Sequence, residues 1–502
     1  LEAMDAFFAA DWEVHYNSNR LGVRLIGPKP DWTRSSGGEA GLHPSNVHDC
    51  EYALGSINFT GDSPVILTRD GPSLGGFVCP VTIVKAELWK VGQVKPGDRI
   101  RFVPLQYKDA LALDHVQERC IQTLEPEPAL PLSVPSLLPS GNASATLLAE
   151  RSADGHHPKA QWRQAGDNYI LLEYGEDVLD LALRLRVHLL MESIRMEKLP
   201  VEELSPGVRS LQIRYASNRI EQSALMRHLL RMEETLPDVA ALKIPTRVVH
   251  LPIAFEDSAT LGAIQRYRET VRADAPWLPS NLEFLRRING LKTIADVLEI
   301  VHATRYMVLG LGDVYLGAPC AVPVDPRHRL LSSKYNPART YTAEGTVGIG
   351  GMYMCIYGMD SPGGYQLVGR TLPIWNKFLK NAQFETGKPW LLRFFDQVCF
   401  YPVEEEELTE QREAFRAGRH RIRVEEEIFD YGGYRQFLEL HANSIAVFRE
   451  RQLAAFTAEI AHWKDHGTAT AVKPASVAAQ EEKTVPDGHR VHAPMHGSVW
   501  KL

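Results

Sequence analysis

Two stretches of this sequence carry the same punctuation, and the repetition narrows the folds open to it. In the first, Gly61-Asp62-Ser63-Pro64-Val65-Ile66-Leu67 leads to Asp70-Gly71-Pro72-Ser73-Leu74-Gly75-Gly76-Phe77. In the second, an apolar run from Gly348 to Tyr357 leads to Asp360-Ser361-Pro362-Gly363-Gly364-Tyr365. Each reads as a strand, then Asp, Ser, Pro and a Gly-Gly pair, then an aromatic residue that opens the next strand. The two regions also close alike, on Gly97–Pro104 (GDRIRFVP) and on Phe395–Pro402 (FDQVCFYP). Their spacing of about 290 residues far exceeds the roughly 20 to 50 residues of a solenoid repeat, so the pattern implies two related β-barrels.

Adjacent glycines adopt positive φ readily and leave their N–H groups uncovered. Two such groups can converge on an oxyanion or a planar ureido oxygen, and Ser73 or Ser361 beside them adds a hydroxyl. Gly75, Gly76, Gly363 and Gly364, with Ser73 and Ser361, are therefore candidate catalytic residues. A tight hairpin would want the same Gly-Gly pair for its backbone shape alone. Two copies at equivalent places favour a site shared between the barrels.

Composition excludes several classes. A chain of 502 residues has room for roughly two to four domains, and 44% apolar with 23% charged residues is ordinary for a globular protein. A net charge of -7 gives no footing for nucleic acid. Cys50, Cys79, Cys120, Cys320, Cys355 and Cys399 lie far apart with no CxxC pair, which argues against a zinc ribbon or a disulfide scaffold and fits a reducing compartment. No apolar run approaches the roughly 20 residues of a membrane span, and the N-terminus lacks the regions of a signal peptide. The expectation is a cytoplasmic protein that binds neither nucleic acid nor membrane. Both ends read as cuts through a longer protein.

Shifts in texture divide the chain. An amphipathic helix over 1–12 opens a β-rich region that reaches 108. Residues 109–162 read as a linker, rich in Pro, Ser and Ala after Pro126. The β-α-β-α order over 163–250 predicts a small α/β sandwich, and 251–403 holds the second repeat. Residues 404–465 are predicted helical, with Phe437, Leu440, Ile445 and Phe448 as a packed stripe and the run Glu404–Glu407 as a solvated face. A second linker covers 466–490, and 491–502 begins something new. The predicted fold class is α+β and β-rich.

Three stretches together resemble one family. Gly37–Asp49 (GGEAGLHPSNVHD) with Gly55–Asp62 (GSINFTGD) resembles the KipA-like half of urea carboxylases. Gly310–Asp325 and Gly345–Thr371 resemble the KipI-like half, and Ala493–Leu502 (APMHGSVWKL) resembles the opening strand of a biotinyl carrier domain. They occur in the family's order, span almost the whole chain, and are worded most like fungal urea carboxylases and urea amidolyases. The resemblance implies cyclophilin-like barrels at 1–108 and 251–403, the two carboxyltransferase parts, with a ferredoxin-like subdomain between them and a C-terminal helical segment. It implies that a further barrel lies upstream and that the carrier domain stops before its biotin-bearing Met-Lys-Met.

The activity so implied moves a carboxyl group from carboxybiotin to urea and gives allophanate. The implied cofactor is biotin, brought by a carrier domain; ATP and Mg belong to a biotin carboxylase domain elsewhere in the parent protein. The implied partners are urea and those two domains, and this half-reaction requires no metal. Guanidine carboxylation is the nearest alternative, followed by a KipI/KipA-type regulatory or 5-oxoprolinase-like module.

Urea is planar and neutral, with N–H donors and one carbonyl acceptor. Asn58 carries both a carbonyl and an NH2 and matches one edge of it, whereas the resemblance associates Asp at this place with guanidine, which a carboxylate would pair by charge. Asn58 could equally only shape a turn. Asp313 is a candidate acceptor for urea N–H groups or a loop cap. His43, Ser45 and Asn46, with His48, read as the wall of a polar pocket, since i, i+5 spacing does not put two histidines on one helix face for a metal. Gln366 and Arg370 share a strand face and are candidates for the cleft, Arg370 equally for a structural salt bridge. Lys334 sits in a Lys-Tyr-Asn-Pro turn and is a candidate substrate-binding residue; proton transfer by Lys334 or Tyr335 is the less favoured reading.

Overall fold

The computed structural model describes residues 2–465, apart from 42, 129, 131–145, 156, 314, 316, 379 and 380. The second expected linker and the carrier-like stretch lie outside the described residues.

The first half is an open, curled sheet. Its strands lie side by side in the order Val81–Thr82, Ser56–Thr60, Ser63–Leu67, Gly22–Ile26, Trp12–Val14 and Arg99–Ile100. A separate ribbon pairs Asn46–Glu51 with Leu74–Phe77. Strand alternation explains which face is buried: Ile57 and Phe59 enter a core with Phe7, Trp12, Val14, Val23, Leu25 and Ile66, which sends Ser56, Asn58 and Thr60 to the opposite face. The expected N-terminal helix forms over Glu2–Ala9 and lays Phe7 on Trp12, ring centroids 5.2 Å apart.

The α/β subdomain is a five-stranded antiparallel sheet in the order Val201–Pro206, Ser210–Tyr215, Tyr169–Tyr174, Ala160–Gln164 and Leu147–Arg151. Helices Leu181–Glu197 and Gln222–Thr235 share its core. The region expected as a linker therefore contributes two of its strands, and also the helix Tyr107–Thr123. Neighbouring proline and serine gave that region a linker's composition, while pairing with Tyr169–Tyr174 gives the strands their structure.

The second half closes. Gln366–Arg370, Thr346–Gly350, Tyr353–Ile356, Pro319–Pro323, Arg305–Leu311, Gln397–Pro402 and Lys243–Phe255 follow one another round a ring, and the last pairs back to the first through Ala254–Arg370 and Phe255–Gly369. The long strand Lys243–Phe255 makes closure possible, since its C-terminal end reaches two neighbours. Val308, Val347, Ile349, Met354, Val368 and Val398 are buried in the core of this half.

Residues 404–465 are helical over Glu405–Arg416, Tyr431–Leu440 and Ala442–Asp465, but Arg423–Asp430 is a strand. It pairs antiparallel with Lys243–Phe255 over eight residues and buries Phe429, so an available sheet edge outweighs the helical preference of its glutamates. Of the expected apolar stripe, Ile445 is buried, whereas Leu440 is exposed. Among the described residues no helix is long and apolar enough to cross a membrane.

Candidate active site

Where the two β-rich halves meet, charge is buried. Asp49, on the strand Asn46–Glu51, is 1% exposed, and Lys334 of the second half brings its Nζ to 3.3 Å from Asp49 Oδ1. The rings of Phe77 and Tyr365 flank that ammonium at 5.0 and 5.2 Å. These are the aromatic residues that follow the two Gly-Gly pairs, so the repeated pattern converges on a single cation through its rings.

The other oxygen of Asp49 accepts from the Tyr365 hydroxyl at 3.1 Å and from the Cys320 thiol at 3.3 Å. Tyr365 also reaches Asp313 Oδ2, at 2.7 Å. Burial, and then the neighbouring carboxylates, push both the Tyr365 hydroxyl and the Cys320 thiol well above their ordinary range, so both keep their protons and act as donors. One phenol proton thus spans two buried carboxylates, and Lys334 supplies the positive charge. Ligating atoms of Asp49, Asp313 and Cys320 lie within 4.8 Å of one another, but the cation already placed against Asp49 is the ammonium of Lys334.

Backbone features fix this lysine. The Gly364 carbonyl accepts from Tyr335 N–H at 2.6 Å, and Gln366 Nε2 donates to the Ser333 carbonyl at 2.7 Å, so the chain is held on both sides of Lys334. Gly76 permits the close approach: a Cβ there would fall 2.2 Å from Lys334 Nζ and 2.4 Å from Asp49 Oδ1. Asp313 is tied to the first half by a backbone bridge to Leu74.

The remaining candidates divide. His43 Nδ1 and Ser45 Oγ lie 2.8 Å apart, and Asn46 Oδ1 accepts from His43 N–H at 3.2 Å; the buried Nδ2 of Asn46 has no partner among the described residues. Asp62 stands 3.4 Å from His43 Nε2; burial opposes its charge, but bonds from His43 and Trp32 hold its carboxyl down at about 2. Asn58 hydrogen-bonds to Thr60 and Cys79, and this strand meets the lysine segment where Gly61 packs on Asn336. Ser361 donates to the Met359 carbonyl in its own loop, and Arg370 donates to the Glu344 carbonyl; neither has a bond into the Asp49 cluster. Ser73 packs beside Gly312. Gly75 and Gly363 each lie against a tyrosine hydroxyl, of Tyr52 and Tyr357.

Sequence reasoning missed Asp49, Phe77, Tyr365, Cys320 and Tyr353, the last of which hydrogen-bonds across the two halves to His48, a residue the sequence had offered as pocket wall. Burial keeps His48 below its usual range and neutral. Two signals were available: Asp49 ends the quoted motif HPSNVHD, and the aromatic after each Gly-Gly pair belongs to the repeat.

Residues 1–104 match the family model described as carboxyltransferase domain, subdomain A and B, and residues 160–384 match carboxyltransferase domain, subdomain C and D. The chain belongs to the carboxyltransferase-domain family. It is 47% identical over 502 residues to the urea amidolyase of Saccharomyces cerevisiae and 49% identical over 506 residues to that of Lachancea kluyveri. In each case it spans 27% of the relative's length. The crystal structure of the Kluyveromyces lactis urea carboxylase is 50% identical and superposes with a TM-score of 0.84, covering 89% of this chain and 40% of that one. This carboxyltransferase domain thus shares both sequence and fold with its relatives across most of its length.

Proposed function

We propose that this chain is the carboxyltransferase portion of a urea carboxylase and joins a carboxyl group to an amide nitrogen of urea, giving allophanate. The observation that carries the reading is Lys334, an ammonium enclosed by Asp49, Phe77 and Tyr365 at the seam between the halves. Such a cation between aromatic faces fits a planar partner that bears a carboxylate. Biotin, carboxylated elsewhere in the complete protein and delivered by its carrier domain, supplies that group.

The chain's own residues orient the acceptor and handle charge. Lys334 Nζ steadies negative charge at the carboxyl group, an effect that strengthens where water is excluded. Asp313 and Asp49 accept N–H groups of urea, and Asn58 matches a further edge. As the new C–N bond to urea forms, the bond from the carboxyl carbon to the biotin ureido nitrogen would break and that nitrogen would take up the proton urea loses. We assign the relay of this proton to Asp313 Oδ2, the oxygen to which Tyr365 is hydrogen-bonded. Alignment of two planar reactants removes orientational entropy from the barrier. Six unpaired cysteines support a cytoplasmic, reducing setting.

The test uses the complete protein, with substrate-dependent carboxylation measured on urea, as allophanate, and on guanidine, as carboxyguanidine. Urea is expected to be the better substrate, and Asn58→Asp to move the preference towards guanidine. Lys334→Met is expected to lower carboxyl transfer by about 10²- to 10³-fold while ATP-dependent carboxylation of biotin continues. A Lys334→Met protein with unchanged transfer, or a wild type that prefers guanidine, would sink the reading.

A further inference from the structure

Asn58 is 3% exposed and projects from the strand face opposite Ile57 and Phe59. Both polar atoms of its side chain are held. Thr60 Oγ1 donates to Oδ1 at 2.9 Å, and Nδ2 donates to Cys79 Sγ at 3.5 Å. The thiol's own proton is directed to the Phe77 carbonyl, 3.8 Å away, so towards Asn58 the sulfur can only accept. That fixes which end of the amide is which: nitrogen at Cys79, oxygen at Thr60.

A side-chain amide has two N–H donors and two lone pairs on oxygen. With one of each engaged, one donor and one acceptor remain. Urea offers both an acceptor and donors, whereas a guanidinium offers donors only. An amide free to turn about χ2 can present its oxygen alone to an all-donor ligand. A pinned amide keeps an N–H in place, and that N–H meets another N–H when guanidinium binds.

We propose that Thr60 and Cys79 act as positioning residues that lock the Asn58 amide and thereby set the preference for urea over all-donor analogues. The inference rests on the reading of Asn58 as a residue that faces the substrate. Desolvation supports the arrangement by pushing the Cys79 thiol up to about 12, so it retains the proton that binds Phe77.

The experiment compares Cys79→Ala, Cys79→Ser, Thr60→Val and Asn58→Asp in the complete protein. Its readouts are the ratio of kcat/KM for urea to that for guanidine, and the thermal midpoint. Cys79→Ala and Thr60→Val are each expected to lower the ratio by about fivefold, the worth of one hydrogen bond. Cys79→Ser retains an acceptor for Asn58 and a donor for Phe77, and is expected to keep the ratio within about twofold. Unchanged ratios in Cys79→Ala and Thr60→Val, with Asn58→Asp shifting preference, overturn the clamp and leave the substrate assignment standing. A loss in Cys79→Ser equal to that in Cys79→Ala replaces the clamp with simple packing. If Asn58→Asp also leaves the ratio untouched, both the clamp and the assignment fall.

Discussion

Tyr365 holds two carboxylates together with one hydroxyl. In Tyr365→Phe the ring still flanks Lys334, but Asp313 and Asp49 each lose a donor while remaining buried. Bonds to charged groups contribute about 1.5 to 3 kcal/mol, so a thermal-unfolding series should place the variant lower in stability by about that amount, with kcat reduced more than KM is raised. A variant as stable and active as wild type would remove Tyr365 from the site. Little of this was legible in the sequence. The Lys-Tyr-Asn-Pro turn offered Lys334 as a candidate substrate-binding residue but not its burial, because lysine is rarely buried without a partner and its partner here stands 285 positions away. Asn58 was singled out as a candidate through the wording of its motif, not through its surroundings.

Between elements, the contact that matters most is the one between the strand Asn46–Glu51 and the subdomain strand Ser210–Tyr215. Glu51 is 4% exposed there and accepts from Ser210 Oγ at 2.7 Å and from Gln212 N–H at 3.2 Å. Burial outweighs these bonds and pushes its carboxyl up to about 7. The folded state therefore binds this proton more tightly than the unfolded chain, whose value is near 4.5. Stability from this group is full below 4.5, falls as pH rises from 4.5 to 7, and is level above that, a total of roughly 3 kcal/mol. Glu51→Gln should flatten that part of the profile, so its thermal midpoint should exceed the wild type's at pH 8 and approach it at pH 5. Parallel curves for the two proteins would refute the assignment. Elements themselves were unevenly legible: Tyr169–Tyr174 and Ser210–Tyr215 carried apolar alternation, whereas Arg423–Asp430 hid among glutamates because a neighbouring strand, not its own composition, makes it β.

At the scale of the whole molecule, the repeat announced two related β-barrels, whereas only the second half closes and the first is an open sheet. Ring closure depends on Lys243–Phe255 meeting Gln366–Arg370, a pairing between residues more than a hundred positions apart that no local pattern encodes. Nor did the repeat reveal that its two Gly-Gly pairs are unequal. An added methyl at Gly76 collides with Lys334 Nζ and Asp49 Oδ1, whereas at Gly364 the nearest atom, Lys334 Cβ, is 3.6 Å away, an ordinary contact. Gly76→Ala must therefore displace the ammonium or part the halves, at about 1 to 3 kcal/mol for overpacking, and carboxyl transfer should fall steeply. Gly364→Ala should stay within about 0.5 kcal/mol of wild type and keep most of its activity. Thermal unfolding gives the energies, and hydrogen exchange along Asn46–Glu51 and around Lys334 reports whether the seam has opened. Equal effects of the two substitutions would mean that the loops act alike, as backbone donors, and that the site is centred on their amides and not on the lysine between their aromatic neighbours.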